Sequence, residues 1–187
     1  MLLNGVRKAA IATKSRQSGG NEMEHTMALS LRESVHLVSD PKNLDASVEE
    51  VFHLMLGVSC ERDPAPPPHE QESVTAVVGF GGLLSGACVF RTGGTGAMKI
   101  AAHMTGMEFT EIDDTVKDGI GEICNMLAGA WKGKVPDLSA NCGLSIPAVI
   151  TGRDYNLHVQ APEFKLIHAY RFEDWGFDVT IICDGLQ

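Results

Sequence analysis

Two stretches of the chain, SVEEVFHLMLG (47–57) and GIGEICNMLAG (119–129), superimpose without a gap. The overlay pairs Val48 with Ile120, Val51 with Ile123, Phe52 with Cys124, Met55 with Leu127 and Gly57 with Gly129. Apolar residues at intervals of three and four gather on one side of an α-helix, so both copies read as amphipathic helices in the same register. The polar residues do not repeat in the same way. Glu50 falls on Glu122, but His53 stands in place of Asn125 and Ala46 in place of Asp118. The core face is duplicated, and the polar constellation is complete only in the second copy.

The segments between and after the two helices have β character. NLDASVEEVFHLMLG carries the first helix, with Gly57 as its stop, and a possible short strand around Val35 to Val38 and a Pro-Lys-Asn turn precede it. ERDPAPPPHEQE cannot be helical because of its prolines and reads as a surface loop. SVTAVVGF and LLSGACVFRT are apolar runs joined by Gly81-Gly82, which suits an antiparallel hairpin. GTGAMKIAAHMTG reads as a helix of small residues closed by Gly106, and EFTEIDDTVKDGIGEICNMLAGAWKG holds the longest helix. NCGLSIPAVITG, FKLIHAYRFE and FDVTIICDG are three further strand candidates. The sum is an α+β fold: a mostly antiparallel sheet of about six strands, covered by the two duplicated helices and a shorter third.

The whole is the size of one domain. A chain of 187 residues builds a single core of ordinary size, and we assign residues 29–187 to it. Residues 1–28, rich in Lys, Arg, Ser and Gly, are expected to be a disordered tail. The tail has no continuous apolar core of a secretory signal. Its basic start suits an organelle transit peptide, but a start codon upstream of Met23 or Met27 explains it as well, and we prefer that reading.

The formal charge is −9, and the first 21 residues hold Arg7, Lys8, Lys14 and Arg16 with no acid, so the remaining body is more acidic still. Such a body repels phosphate backbones and has no basic patch to offset this, which argues against nucleic acid as a partner. No apolar run is long enough to cross a bilayer, so no membrane association is expected. The five cysteines are odd in number and widely spaced, without a CxxC pair. They read as reduced packing residues of a cytoplasmic protein, and no metal site is expected. TGGTG (92–96) precedes a helix but lacks the Lys-Ser/Thr of a nucleotide cradle and reads as a strand-to-helix turn.

Winding the longest helix at about 100° per residue collects Val116, Ile120, Ile123, Cys124, Leu127 and Trp131 on the core side. Asp118, Glu122 and Asn125 fall together on the opposite side, within about 60° of one another. Gly119, Gly121 and Gly129 lie in the same helix, although each costs up to about 1 kcal/mol there relative to alanine. A helix built for stability alone avoids them, so the stripe is expected to be kept open for an approaching surface, with Gly121 and Gly129 bordering it.

The triplet Asp118, Glu122, Asn125, followed by Pro147 within LSIPAVI, resembles the motif of the CheC and CheX phosphatases of chemotaxis: Asp or Ser, then Glu, then Asn on one helix, and a proline about two dozen residues on. The interval to Pro147 is about one residue shorter than that pattern. The resemblance extends from near Leu44 to near Cys183, and one complete motif beside a degenerate copy is similar to CheX rather than CheC. It implies a cytoplasmic protein that dephosphorylates the aspartyl phosphate of a CheY-like receiver domain, with Mg2+ supplied by the receiver. It also implies pairing of two copies as a homodimer.

Under that resemblance Glu122 and Asn125 are the expected catalytic residues. Asn125 would orient the attacking water, since phosphoryl transfer through a loose transition state is helped mainly by positioning and charge. Glu122 would pair with the receiver's active-site lysine. Asp118, Gly121, Gly129 and Pro147 are the expected binding residues. Two other readings remain open: a non-catalytic adaptor that binds a receiver or flagellar switch protein, and a vestigial or pH-sensitive second site at Glu50 and His53.

Overall fold

The computed structural model describes residues 38–64, 72–153, 155 and 162–186. The expected tail lies outside the described residues, and so does the possible strand near Val35, except for Val38, which is buried in the core.

Helix α1 (Pro41–Leu56) starts earlier than the sequence suggests. Asp40 accepts the Lys42 backbone N–H at 3.0 Å and so caps the helix, while Pro41 takes the first helical position, where no N–H is needed. The expected Pro-Lys-Asn turn is thus the first turn of α1. Gly57 closes the helix in the left-handed region, its N–H donating to the His53 carbonyl at 3.1 Å.

The loop that follows is not wholly irregular. Glu61–Arg62 form a two-residue strand, β1, against β6 (Phe164–Phe172), and residues 65–71 lie outside the described residues. Strands β2 (Ser73–Gly82) and β3 (Leu84–Gly93) make the expected antiparallel pair, with Phe80 opposite Gly86. Gly86 sits at a register shift against β7 (Trp175–Leu186), and only a glycine fits there, because a Cβ would fall onto the Ile182 carbonyl.

TGGTG is the strand-to-helix turn the sequence suggests. Helix α2 (Gly94–Thr105) begins directly after β3 and ends at Gly106 in the left-handed region. Helix α3 (Asp114–Gly133) is the longest, at 20 residues, and Asp113 caps it by accepting the Val116 N–H at 2.9 Å. A short helix, α4 (Pro136–Asn141), was not anticipated from sequence. It occupies the interval between Asn125 and Pro147, where the spacing departs from the motif.

Among the described residues the sheet has seven strands, all paired antiparallel, in the order β1-β6-β7-β3-β2 and then β4 (Cys142–Leu144), with β5 (Ala148–Gly152) also on the outer edge of β2. The count exceeds the expected six because β1 joins the edge and NCGLSIPAVITG divides into β4 (Cys142–Leu144) and β5. The division has a local cause. Pro147 has no N–H to give a ladder, and the residue before a proline is conformationally restricted. The chain steps away at Ser145, which keeps contact with β2: its N–H donates to the Gly79 carbonyl and its Oγ accepts the Gly79 N–H, both at 2.9 Å.

Helices α1, α2 and α3 cover one face of the sheet. Val74, Ala76, Val78 and Phe80 of β2, Cys88 and Phe90 of β3, and Phe177, Val179 and Ile181 of β7 meet Val48, Phe52, Ile120, Ile123, Leu127 and Trp131 in one core. Phe52 is its aromatic hub, stacked on Phe177 at 4.5 Å between ring centres and tilted against Phe172 and Phe90.

The duplicated register holds at Val48, Val51 and Phe52 of α1 and at Ile120, Ile123 and Cys124 of α3, all buried. It breaks at the ends. Met55 is only partly buried where Leu127 is fully buried, and Gly57 terminates α1 where Gly129 lies inside α3.

Candidate functional site

Helix α3 turns all six predicted core residues inward: Val116, Ile120, Ile123, Cys124, Leu127 and Trp131 are each fully buried. Its opposite side therefore faces outward. Asp118 and Glu122 are exposed and Asn125 is half-buried. Among the described residues, none of the three side chains has a hydrogen-bond or ion-pair partner. A carboxylate and a carboxamide one helical turn apart are thus held on a rigid element with their bonding capacity unspent.

The neighbouring cations are occupied. Lys117 pairs with Asp114 at 3.0 Å, and Lys132 donates from Nζ to the carbonyls of Ser139 (3.0 Å) and Cys142 (2.7 Å). Lys134 pairs with Glu50 of α1. Carbonyls leave the Lys132 charge in place, so the unpaired carboxylates of Asp118 and Glu122 outnumber the one unpaired cation among these three lysines. The Lys134–Glu50 pair also separates the two copies of the repeat: Glu122 is free, whereas its counterpart Glu50 is tied to the end of α3.

The three glycines in the interior of α3, Gly119, Gly121 and Gly129, have different surroundings. A Cβ on Gly119 would lie 3.5 Å from Met104 Sδ of α2, in ordinary contact. Gly121 does not border an open surface as expected. It is buried, and a Cβ there would lie 3.4 Å from Pro147 and from Val149. Pro147 thus reaches the site residues through the chain's own packing, seated on α3 beside the turn that carries Glu122 and Asn125. Gly129 alone of the three is open, and a Cβ there would meet nothing within 4 Å.

That opening yields a stability prediction. Gly129→Ala should raise the unfolding free energy by about 0.5–1 kcal/mol, because a helical glycine carries that entropic cost and no neighbour resists the methyl. Thermal melting measures it, and an unchanged or lower Tm would contradict the open surroundings.

The thiols offer no competing chemistry. Burial pushes Cys60 up to about 12, with Glu49 adding to the effect, and pushes Cys183 up to about 11. A hydrogen bond to Cys124, burial and the coulombic effect of Cys124 raise Cys88, and burial raises Cys142. Thiols held protonated are poor nucleophiles, so these cysteines are packing groups, and all five are free. No His/Cys/Asp/Glu group among the described residues could hold a metal ion. No helix among them is long and apolar enough to cross a membrane.

Sequence reasoning missed several residues around the site. Ser145 and Lys134 act through partners far along the chain, Gly79 and Glu50, and Lys132 through the carbonyls of Ser139 and Cys142 beyond the end of its helix. A second polar cluster, on the other side of α1, was also missed: Tyr170 donates to Asp45 at 2.7 Å, His168 Nδ1 lies 2.9 Å from the same carboxylate, and Arg62 approaches it at 3.6 Å. It ties α1 to β6 and β1.

Comparison with known proteins places this geometry. The CheY-P phosphatase CheX of Thermotoga maritima is 28% identical over 147 residues, covering 76% of this chain and 95% of the relative. Among solved structures, CheX from Vibrio vulnificus matches with a TM-score of 0.62 at 20% identity, covering 76% of this chain and 94% of the other. The CheX–CheY–BeF3–Mg2+ complex from Borrelia burgdorferi contains a chain that matches at 0.61 and 18% identity, with 77% and 97% covered. At these identities the structural likenesses establish the fold. The family model described as chemotaxis phosphatase CheX matches residues 74–167, which include Asp118, Glu122, Asn125 and Pro147 and run from β2 through β5, and the chain belongs to that family.

Proposed function

We propose that the protein dephosphorylates the aspartyl phosphate of a CheY-like receiver domain, with Asn125 and Glu122 as the catalytic residues. The observation that carries this reading is the free Glu122–Asn125 pair on the outward side of α3, inside the stretch shared with the CheX family. The relative from Thermotoga is a CheY-P phosphatase, and the Borrelia CheX is paired with CheY, BeF3 and Mg2+.

The chemistry asks little of this chain. The acyl phosphate already hydrolyses slowly, and the receiver supplies Mg2+ and a lysine. Asn125, through its carboxamide, accepts a proton-side contact from the attacking water and donates toward the phosphoryl oxygens, fixing the in-line geometry. Glu122 forms an ion pair with the receiver's lysine and so seats α3 against the receiver's active site. Asp118 orients the docking surface, and Pro147 with Gly121 fixes the flank of the helix. The reaction belongs to the cytoplasm, where we place the protein. Pairing of two copies through sheet edges is part of this proposal, supported by β5 lying at one end of the strand order.

Substoichiometric amounts of the protein should accelerate phosphate release from a receiver charged with acetyl phosphate and Mg2+. Binding without acceleration would make it an adaptor instead. Glu122→Lys reverses the charge opposite the receiver's lysine and should raise KM at least about tenfold, since breaking a desolvated charge pair chiefly weakens the complex. An unchanged KM would remove Glu122 from the interface.

A further inference from the structure

We infer that Ile146 is the apolar anchor by which the receiver docks beside Glu122 and Asn125. Ile146 is 89% exposed, the most exposed large hydrophobic side chain among the described residues. Isolated apolar residues on a surface are ordinary, and exposure alone carries little. The setting of this one is not ordinary.

The loop that presents Ile146 is pinned on both sides. Ser145 is bonded to Gly79 of β2 through its N–H and its Oγ, and the same Oγ donates to the Ile146 carbonyl at 2.9 Å. Pro147 is seated on α3 against Gly121, which stands one turn before Asn125 on adjacent helix surface. The isoleucine is therefore held out from a fixed backbone. A partner that reaches Asn125 meets this loop at its border. The backbone of the loop needs no ordering when a partner binds, which lowers the entropic cost of the contact.

The occupant follows from charge. Lys117 and Lys134 are in ion pairs, and Lys132 is bound to the carbonyls of Ser139 and Cys142 and keeps its charge, so near the loop the two unpaired carboxylates of Asp118 and Glu122 outnumber it. Two copies of the chain meeting here about a two-fold axis would set these carboxylates against each other, and like charges in a contact cost several kcal/mol. A receiver that brings an active-site lysine offers the opposite sign. The inference rests on the proposed phosphatase reading and adds a residue that Asp118, Glu122, Asn125 and Pro147 do not include.

The test separates docking from chemistry. Ile146→Ser should raise KM for the phosphorylated receiver about ten- to a hundredfold, the affinity value of one buried isoleucine, with kcat kept within about twofold. Ile146→Leu should restore KM to near that of the unaltered protein. Melting curves of both variants should overlay that of the unaltered protein, because the side chain makes no core contact. An unchanged KM in Ile146→Ser, while Asn125→Ala abolishes turnover, overturns the anchor and leaves the phosphatase reading standing. Full turnover in Asn125→Ala overturns that reading, and the anchor with it. A shift of the protein from dimer to monomer on Ile146→Ser, by analytical ultracentrifugation, would assign the residue to self-association and also overturn the inference.

Discussion

Asn125→Ala is expected to lower kcat about a hundredfold, leaving the phosphorylated receiver to decay at close to its own rate. The size follows from the role. Loss of one preorganised hydrogen-bonding group at a charge-developing centre costs about 10²–10³ in rate, and here the amide is almost the whole of what the chain adds to the reacting atoms. Binding should persist, because Glu122 and the loop at Ile146 are untouched. The fold should be no weaker, since alanine is the better helix former and Asn125 has no partner among the described residues to lose. Asn125→Asp tests the same point from the other side. It keeps the shape but sets a negative charge against a phosphoryl group, so it should fail as completely as alanine. Phosphate release in single-turnover mixing gives the rate and receiver fluorescence gives the affinity. A variant that keeps the full rate would show that water is positioned by something else.

The second large effect concerns stability. Phe52→Ala should lower the unfolding free energy by about 3–5 kcal/mol, the usual cost of emptying a phenylalanine site in a core. Phe52 is completely buried and touches three other rings, on β3, β6 and β7, so no single neighbour can move in to fill the space. Set against a typical total of about 5–15 kcal/mol, the variant should be near its threshold at physiological temperature. The midpoint of urea denaturation should fall with an unchanged slope. Phosphatase activity per folded molecule should be retained at low temperature, because α3 keeps its own contacts with β2 and β3. A loss below 1 kcal/mol would mean that the cluster repacks.

Phe52 and Cys124 occupy equivalent places in the two halves of the repeat, yet one is the centre of the aromatic cluster and the other a small thiol bonded to backbone carbonyls of Ala76 and Cys88. The sequence shows that both face inward. It does not show which neighbours each one meets. The same division runs through the site. That Asp118, Glu122 and Asn125 share a side of α3 was legible, because positions three and four apart stack on any helix whatever surrounds it. Gly121 reads from sequence as a borderer of the open stripe, and it is instead the seat of Pro147.

Legible in the sequence is what depends on neighbours a few residues away: the extent of α2 to within a turn, the place of α3 inside residues 108–133, the caps at Gly57 and Gly106, the hairpin of β2 and β3, the inward sides of α1 and α3, and the polar stripe. Everything that joins distant segments came from the folded arrangement. The placement of β7 between β6 and β3, the splitting of β4 from β5 at Ser145, the capture of Glu50 by Lys134, and the seating of Pro147 against Gly121 all belong to that class. The physical reason is that periodicity fixes the direction of a side chain relative to its own element. Contact across the sheet depends on register and packing between residues dozens of positions apart, and no local pattern encodes those.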